Sequence, residues 1–145
     1  MRRSTEDVDA YLHGDDVAPD LARTDAVVRD VLPGLSRSLW RGVFWGGTEQ
    51  VIIGYGDIVQ PRPRGADVEW FLVGLAQQKR HLSLYVNAVE DGAYLGRRYA
   101  DRLGRARVGA ASISFARLDD LDEAVLREML AHAGRTLDEG TPPTA

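Results

Sequence analysis

Lys79, His81, Ser83 and Tyr85 stand two residues apart along one stretch of the chain. Successive side chains of a β-strand point to opposite faces. On an extended chain these four would therefore share one face, with Leu82, Leu84 and Val86 on the other. At about 3.4 Å per residue their spacing is about 7 Å. Such a row offers a cation, an imidazole of the type that titrates near neutral pH, and two hydroxyls. Trp45, Tyr55 and Trp70, on neighbouring extended segments, would wall the same groove, giving an aromatic pocket with a few convergent polar groups. Lys79, His81, Ser83, Tyr85, Trp45 and Tyr55 are thus the candidate ligand-binding residues. The competing reading is a solvent-facing sheet surface with the aromatics split between core and rim. Lys79 is the single lysine among 18 basic residues. An arginine bias accounts for this simply; the sharper account is a need for a compact charge that arginine does not supply.

A second constellation lies at the N-terminus. On a helix, Glu6, Asp9 and His13 fall at i, i+3 and i+7 and share one face, with Asp15, Asp16 and Asp20 close behind. Carboxylate oxygens with one imidazole suit weak binding of ferrous iron or a similar divalent ion, so Glu6, Asp9 and His13 are the candidate metal ligands. The simpler account is the charged solvent face of an amphipathic helix.

Catalytic chemistry has less behind it. His81 and Ser83 resemble a base and its nucleophile, but a triad also needs an orienting acid and an oxyanion hole. Gly54-Tyr55-Gly56 has neither the phosphate-loop nor the dinucleotide spacing. The absence of cysteine excludes disulfides, thiolate catalysis and Cys-ligated metal sites. The expectation is a protein that is not an enzyme, with no cofactor beyond ferrous iron under the metal reading. Arg97, Arg98, Arg102, Arg105 and Arg107 form a basic run able to hold phosphate or an acidic partner, or simply a solvated helix face.

These groups need elements to position them. Ser4 is placed to cap a first helix over about Thr5 to His13. Pro19 opens a second, through Leu21, Thr24, Val28 and Val31, ending at Pro33-Gly34. Strands are expected at Leu39–Trp45, Gln50–Gly56, Glu69–Leu75 and Gln77–Val86, the last two forming a hairpin through a short Ala76-Gln77-Gln78 connection, and short loops make the whole an antiparallel meander. A helix over Gly92 to Leu103 and a strand over Ala111 to Ala116 follow. A last helix opens at Asp120-Leu121-Asp122-Glu123 and runs toward His132. The order α-α-β-β-β-β-α-β-α defines an α+β fold, with an antiparallel sheet of about five strands against helices. The 145 residues read as a single domain with its core over about 5–133 and a frayed tail over 136–145.

Several segments are similar to the YdhG-like family, a domain of unknown function loosely grouped with YjbR- and frataxin-like folds. They are Val8-Asp9-Ala10-Tyr11, Lys79-Arg80-His81-Leu82-Ser83-Leu84-Tyr85, Gly109-Ala110-Ala111-Ser112-Ile113-Ser114-Phe115 and Leu118-Asp119-Asp120-Leu121-Asp122. The chain departs from the family pattern at Ala110, where many relatives carry lysine, and at Tyr55-Gly56-Asp57-Ile58, which lacks their proline. The resemblance implies an α+β fold and, as for a few members, frataxin-like iron carriage.

The formal charge of −4 draws the chain toward neither nucleic acid nor an anionic membrane. No apolar run approaches the ~20 residues of a membrane span. The expectation is a cytoplasmic, monomeric or homodimeric binding module for a small molecule or protein partner, with an iron chaperone as the alternative.

Overall fold

The computed structural model describes residues 2–43, 49–60 and 68–138. The chain opens with strand β1 (Arg2–Ser4), then helices α1 (Val8–Leu12) and α2 (Pro19–Val31). Strands β2 (Arg37–Val43), β3 (Glu49–Tyr55), β4 (Ile58–Gln60), β5 (Val68–Trp70), β6 (Val73–Gln77) and β7 (Leu82–Val86) follow. After them come β8 (Val89–Glu90), β9 (Ala93–Tyr94), α3 (Leu95–Tyr99), β10 (Arg107–Val108), β11 (Ser112–Phe115) and α4 (Glu123–Asp138). Seven strands form one antiparallel sheet in the order β1-β2-β3-β6-β7-β11-β10. The fold is α+β as expected, with two more strands in the sheet than the sequence suggested.

Directly opposed residues of an antiparallel pair share a face, so the register sorts the sheet. One row runs Leu39–Ile53–Leu75–Leu84–Ile113 across five strands, and all five side chains are fully buried. This face carries the helices: Leu21 and Val28 of α2 and Leu126, Met129 and Leu130 of α4 join the same cluster, which extends from Val8 to Ala133. Burying each large apolar side chain contributes about 1.5–3 kcal/mol, so this row is the mechanical spine of the molecule. The next row, Trp40–Ile52–Ala76–Ser83–Ser114–Arg107, faces the other way. Its chemistry runs from aromatic at one end to hydroxyl and guanidinium at the other.

The aromatic end is closed by a small second core of Trp40, Ile52, Phe71, Ala76 and Tyr85, with Trp70 against it. Trp70 stacks on Phe71 with centroids 4.4 Å apart, and Trp40 meets both edge-on. This packing needs glycine beneath it. A Cβ on Gly74 would lie 2.3 Å from Cε1 of Phe71, and one on Gly54 would lie 2.6 Å from Nε1 of Trp40.

Several local expectations are corrected. Ser4 pairs with Leu39 in β1, and the first helix starts only at Val8, capped by Asp7, whose Oδ2 accepts from the Ala10 amide at 3.0 Å. The expected strand over Glu69–Leu75 is broken at Phe71-Leu72. Nδ2 of Asn87 donates to the Phe71 carbonyl at 2.8 Å there, and β5 pairs with β4 outside the main sheet. Gly92–Leu103 is not one helix. Asp91 and Gly92 both take positive φ, 53° and 79°, and turn the β8–β9 hairpin; a short α3 and a 3-10 turn over Ala100–Arg102 follow. The last helix begins at Glu123, where Asp122 Oδ1 accepts from the Val125 amide. It continues to Asp138, with Thr136 buried and bonded to the Ala133 carbonyl, so fraying does not begin at 136.

Candidate functional site

The hairpin expected between the third and fourth strands is present, but its turn falls later than Ala76-Gln77-Gln78 and cuts into the strand expected over Gln77–Val86. The Gln78 amide donates to the His81 carbonyl at 2.8 Å, and Gln77 opposes Leu82, so Lys79 and Arg80 form the exposed tip and β7 starts after them. Lys79 is therefore not in line with the three residues beyond it. His81, Ser83 and Tyr85 do come together. They line one side of a groove of about 550 Å³ on the sheet face away from the helices.

The rest of the groove comes from distant segments. Ser114 lies opposite Ser83, and Ser112 opposite Tyr85, on β11. Gln50 from β3 and Gln78 from the hairpin close one end, joined by an Nε2–Oε1 hydrogen bond of 2.9 Å. Tyr94 from β9 and Ala110 and Ala111 from the β10–β11 turn complete the lining. The floor is narrow-shouldered because serine and alanine fill positions where larger side chains would close it. Ser83 and Tyr85 are themselves nearly buried. Burial pushes the Tyr85 phenol up, while hydrogen bonding with Ser83 and Gln78 pulls it the other way. Tyr85 is thus held as a neutral phenol tied to its neighbours. Among the described lining residues there is no carboxylate, ammonium or guanidinium group.

Tyr55, expected in this groove, lies on the opposite face. It opposes Val73, which in turn opposes Val86, and its side chain is buried among the helices. Its hydroxyl donates to Asp25 Oδ1 at 2.6 Å, and Arg37 Nη1 donates to Asp25 Oδ2 at 2.8 Å. Burial, followed by the Asp25 charge, drives the Tyr55 phenol well above its ordinary value. It is a core fastener between β3 and α2. Trp70 belongs to the aromatic cluster with Trp40 and Phe71. Trp45 lies outside the described residues.

The three candidate metal ligands do not converge. Glu6 precedes α1, and both its oxygens are held by Arg41, one at 3.0 Å from Nη2. Asp9 accepts from Arg37 Nη2 at 2.7 Å, and His13 Nδ1 donates to the Asp9 backbone carbonyl at 2.7 Å. The arginine hydrogen bonds hold the Glu6 and Asp9 carboxyls below their ordinary range. Among the described residues no group of three or more His, Asp or Glu side chains is arranged to hold a metal ion.

A polar chain absent from the sequence reading joins Tyr99, His132 and Glu90, at 2.8 Å from Tyr99 Oη to His132 Nδ1 and 2.9 Å from Nε2 to Glu90. It ties α3 and α4 to the β8–β9 hairpin that carries Tyr94, and so braces one wall of the groove. The hydrogen bond from His132 is the main cause that lowers the Glu90 carboxyl.

Comparison with protein-family models, curated proteins and solved structures finds no match, and none of the three identifies a YdhG-like family. The functional reading therefore rests on the geometry of this chain. Among the described residues no helix is long and apolar enough to cross a membrane.

Proposed function

We propose that this chain is a non-catalytic binding module whose groove takes a small molecule with an uncharged, hydroxyl-bearing body. The observation that carries the reading is the groove itself. Its volume of about 550 Å³ falls within the roughly 300–1,000 Å³ of small-molecule sites. Three serine hydroxyls, two tyrosines and two glutamine amides converge on it. Each of the serine and amide groups both donates and accepts, matching hydroxyls and amides on a ligand. A charged body would lose its hydration there without meeting a counter-charge. Binding without turnover fits the same lining: His81 and Ser83 have no carboxylate beside them among the described lining residues to orient a base. The metal-carrier reading draws no support, because Glu6 and Asp9 are already committed to Arg41 and Arg37.

The test is calorimetric titration of ribose, glucose, adenosine and uridine into the wild-type chain, His81→Ala and Ser114→Phe. Ser114→Phe puts an aromatic ring on the groove floor at a strand position that tolerates one. At least one probe is expected to bind saturably, with affinity lost in Ser114→Phe and weakened in His81→Ala while the circular dichroism spectrum is unchanged. No binding by any probe, or binding that survives Ser114→Phe, overturns the proposal.

A further inference from the structure

The groove does not end at His81 and Ser114. Both residues also line a second concavity of about 500 Å³, together with Arg105, Arg107, Phe115 and Asp120. The two hollows therefore adjoin at His81 and Ser114. Arg107 is the residue of β10 directly opposite Ser114. Opposed side chains share a face with Cβ atoms about 4.5–5.5 Å apart, so its guanidinium rises from the same surface as Ser83 and Ser114.

Charge distinguishes the two hollows. Nine arginines, Arg37, Arg41, Arg98, Arg102 and Arg117 among them, meet a carboxylate within 4.0 Å. Arg105 and Arg107 are exposed and have no carboxylate partner among the described residues. Asp120 also lines their concavity, but its carboxylate is engaged by Arg117: its Oδ2 accepts from the Arg117 amide at 3.3 Å and its Oδ1 lies 3.8 Å from Arg117 Nη2. On a chain of net charge −4, two guanidinium groups without an ion-pair partner among the described residues, against the single carboxylate of Asp120, leave a local positive excess beside an uncharged groove. Guanidinium forks match the geometry of phosphate oxygens, and such hydrogen bonds are about twice as strong as neutral ones.

We infer that this second concavity is a subsite for a phosphate-class anion carried by the ligand of the groove, an inference that for the ligand's body rests on the reading given under Proposed function. The phosphate lies against Arg105 and Arg107. The uncharged body passes between the hollows at His81 and Ser114 and lies on Ser83, Ser112 and Ser114. The ligand class is therefore a phosphomonoester of a small polyol or nucleoside.

Two arms test this, both read by amide chemical shifts at low ionic strength. In the first, inorganic phosphate is titrated against a chloride control. Saturable shifts are expected at Arg105, Arg107 and Ala116, weakened at least about tenfold in the double variant Arg105→Ala/Arg107→Ala, as loss of charge-assisted hydrogen bonds implies. Replacing the exposed Arg97 and Arg135 by alanine is expected to change nothing. Absent shifts, shifts centred on Lys79 and Arg80, or shifts that survive the double variant overturn the inference. In the second, ribose 5-phosphate is compared with ribose. The phosphate is expected to tighten binding by about tenfold or more, with the gain lost in the double variant; equal affinities overturn the inference. A phosphate response with no response to any uncharged probe supports the anion subsite and overturns the groove reading. The reverse overturns the anion subsite alone.

Discussion

Tyr55→Phe removes one hydroxyl from the interior and separates a structural tyrosine from the groove it was expected to line. The phenol is almost fully buried and donates to Asp25 Oδ1 at 2.6 Å, while Asp25 itself is 3% exposed. A hydrogen bond to a charged group contributes about 1.5–3 kcal/mol, and its removal leaves a buried carboxylate oxygen short of a donor. Arg37 still holds the other oxygen at 2.8 Å, which places the expected loss near the middle, about 2 kcal/mol. At about 3–4 °C per kcal/mol for a chain of this length, Tm falls by about 6–8 °C. Urea unfolding followed by tryptophan fluorescence gives the free energy, and calorimetry gives Tm. The same variant should bind groove probes like wild type, since Tyr55 lies on the other face of the sheet. A loss under about 0.5 kcal/mol, the range of ordinary surface changes, would refute the assignment of Tyr55 as a core fastener. So would a lost affinity at undiminished stability.

Asp25→Asn should cost more, about 3 kcal/mol, the lower end for breaking a buried pair because Arg37 keeps Asp9; urea unfolding decides it. Gly74→Ala should destabilise by about 1–3 kcal/mol, since the new Cβ must displace the Phe71 ring from 2.3 Å; a neutral result would show that the ring swings aside freely. Asp20 accepts from the Leu118 amide at 2.9 Å, and this bond, with Arg23, holds its carboxyl below the ordinary 3.8. Its contribution is therefore complete above pH 3.8 and lost as pH falls through the lower folded value. Asp20→Asn should be less stable than wild type at pH 7, with the gap narrowing as pH falls below 3.8; a gap that stays constant or widens below pH 3.8 would contradict this.

Helix α2 was legible almost to the residue, because Pro19 starts it and the apolar repeat and Pro33-Gly34 end it. The apolar half of β7 was legible too, since Leu82, Leu84 and Val86 alternate with Ser83 and Tyr85. The alternation misled beyond its start. Gln78-Lys79-Arg80-His81 contains no glycine, proline or asparagine, so nothing local placed the hairpin tip there rather than at Ala76-Gln77-Gln78, and the shift removes Lys79 from the row. Tyr55 was misplaced for a related reason: Ile52, Ile53 and Tyr55 are apolar on both faces, and only pairing with Val73 settles which face is which. Long-range pairing also hid β1, whose Arg-Arg-Ser sequence has no strand propensity and is held by β2 some 37 residues later. One signal was available and went unused: Asp91-Gly92 is a hairpin turn dipeptide, and it delivers Tyr94 to the groove.

If the groove over Ser83, Tyr85, Ser112 and Ser114 is the binding site, a ligand must perturb those residues first. Mapping amide shifts on titration with adenosine or ribose tests it most directly. The expected footprint covers those four residues with His81 and Tyr94. A footprint on the separate hollow of about 470 Å³ near Ala26, Leu35, Arg37 and Tyr55 would contradict it.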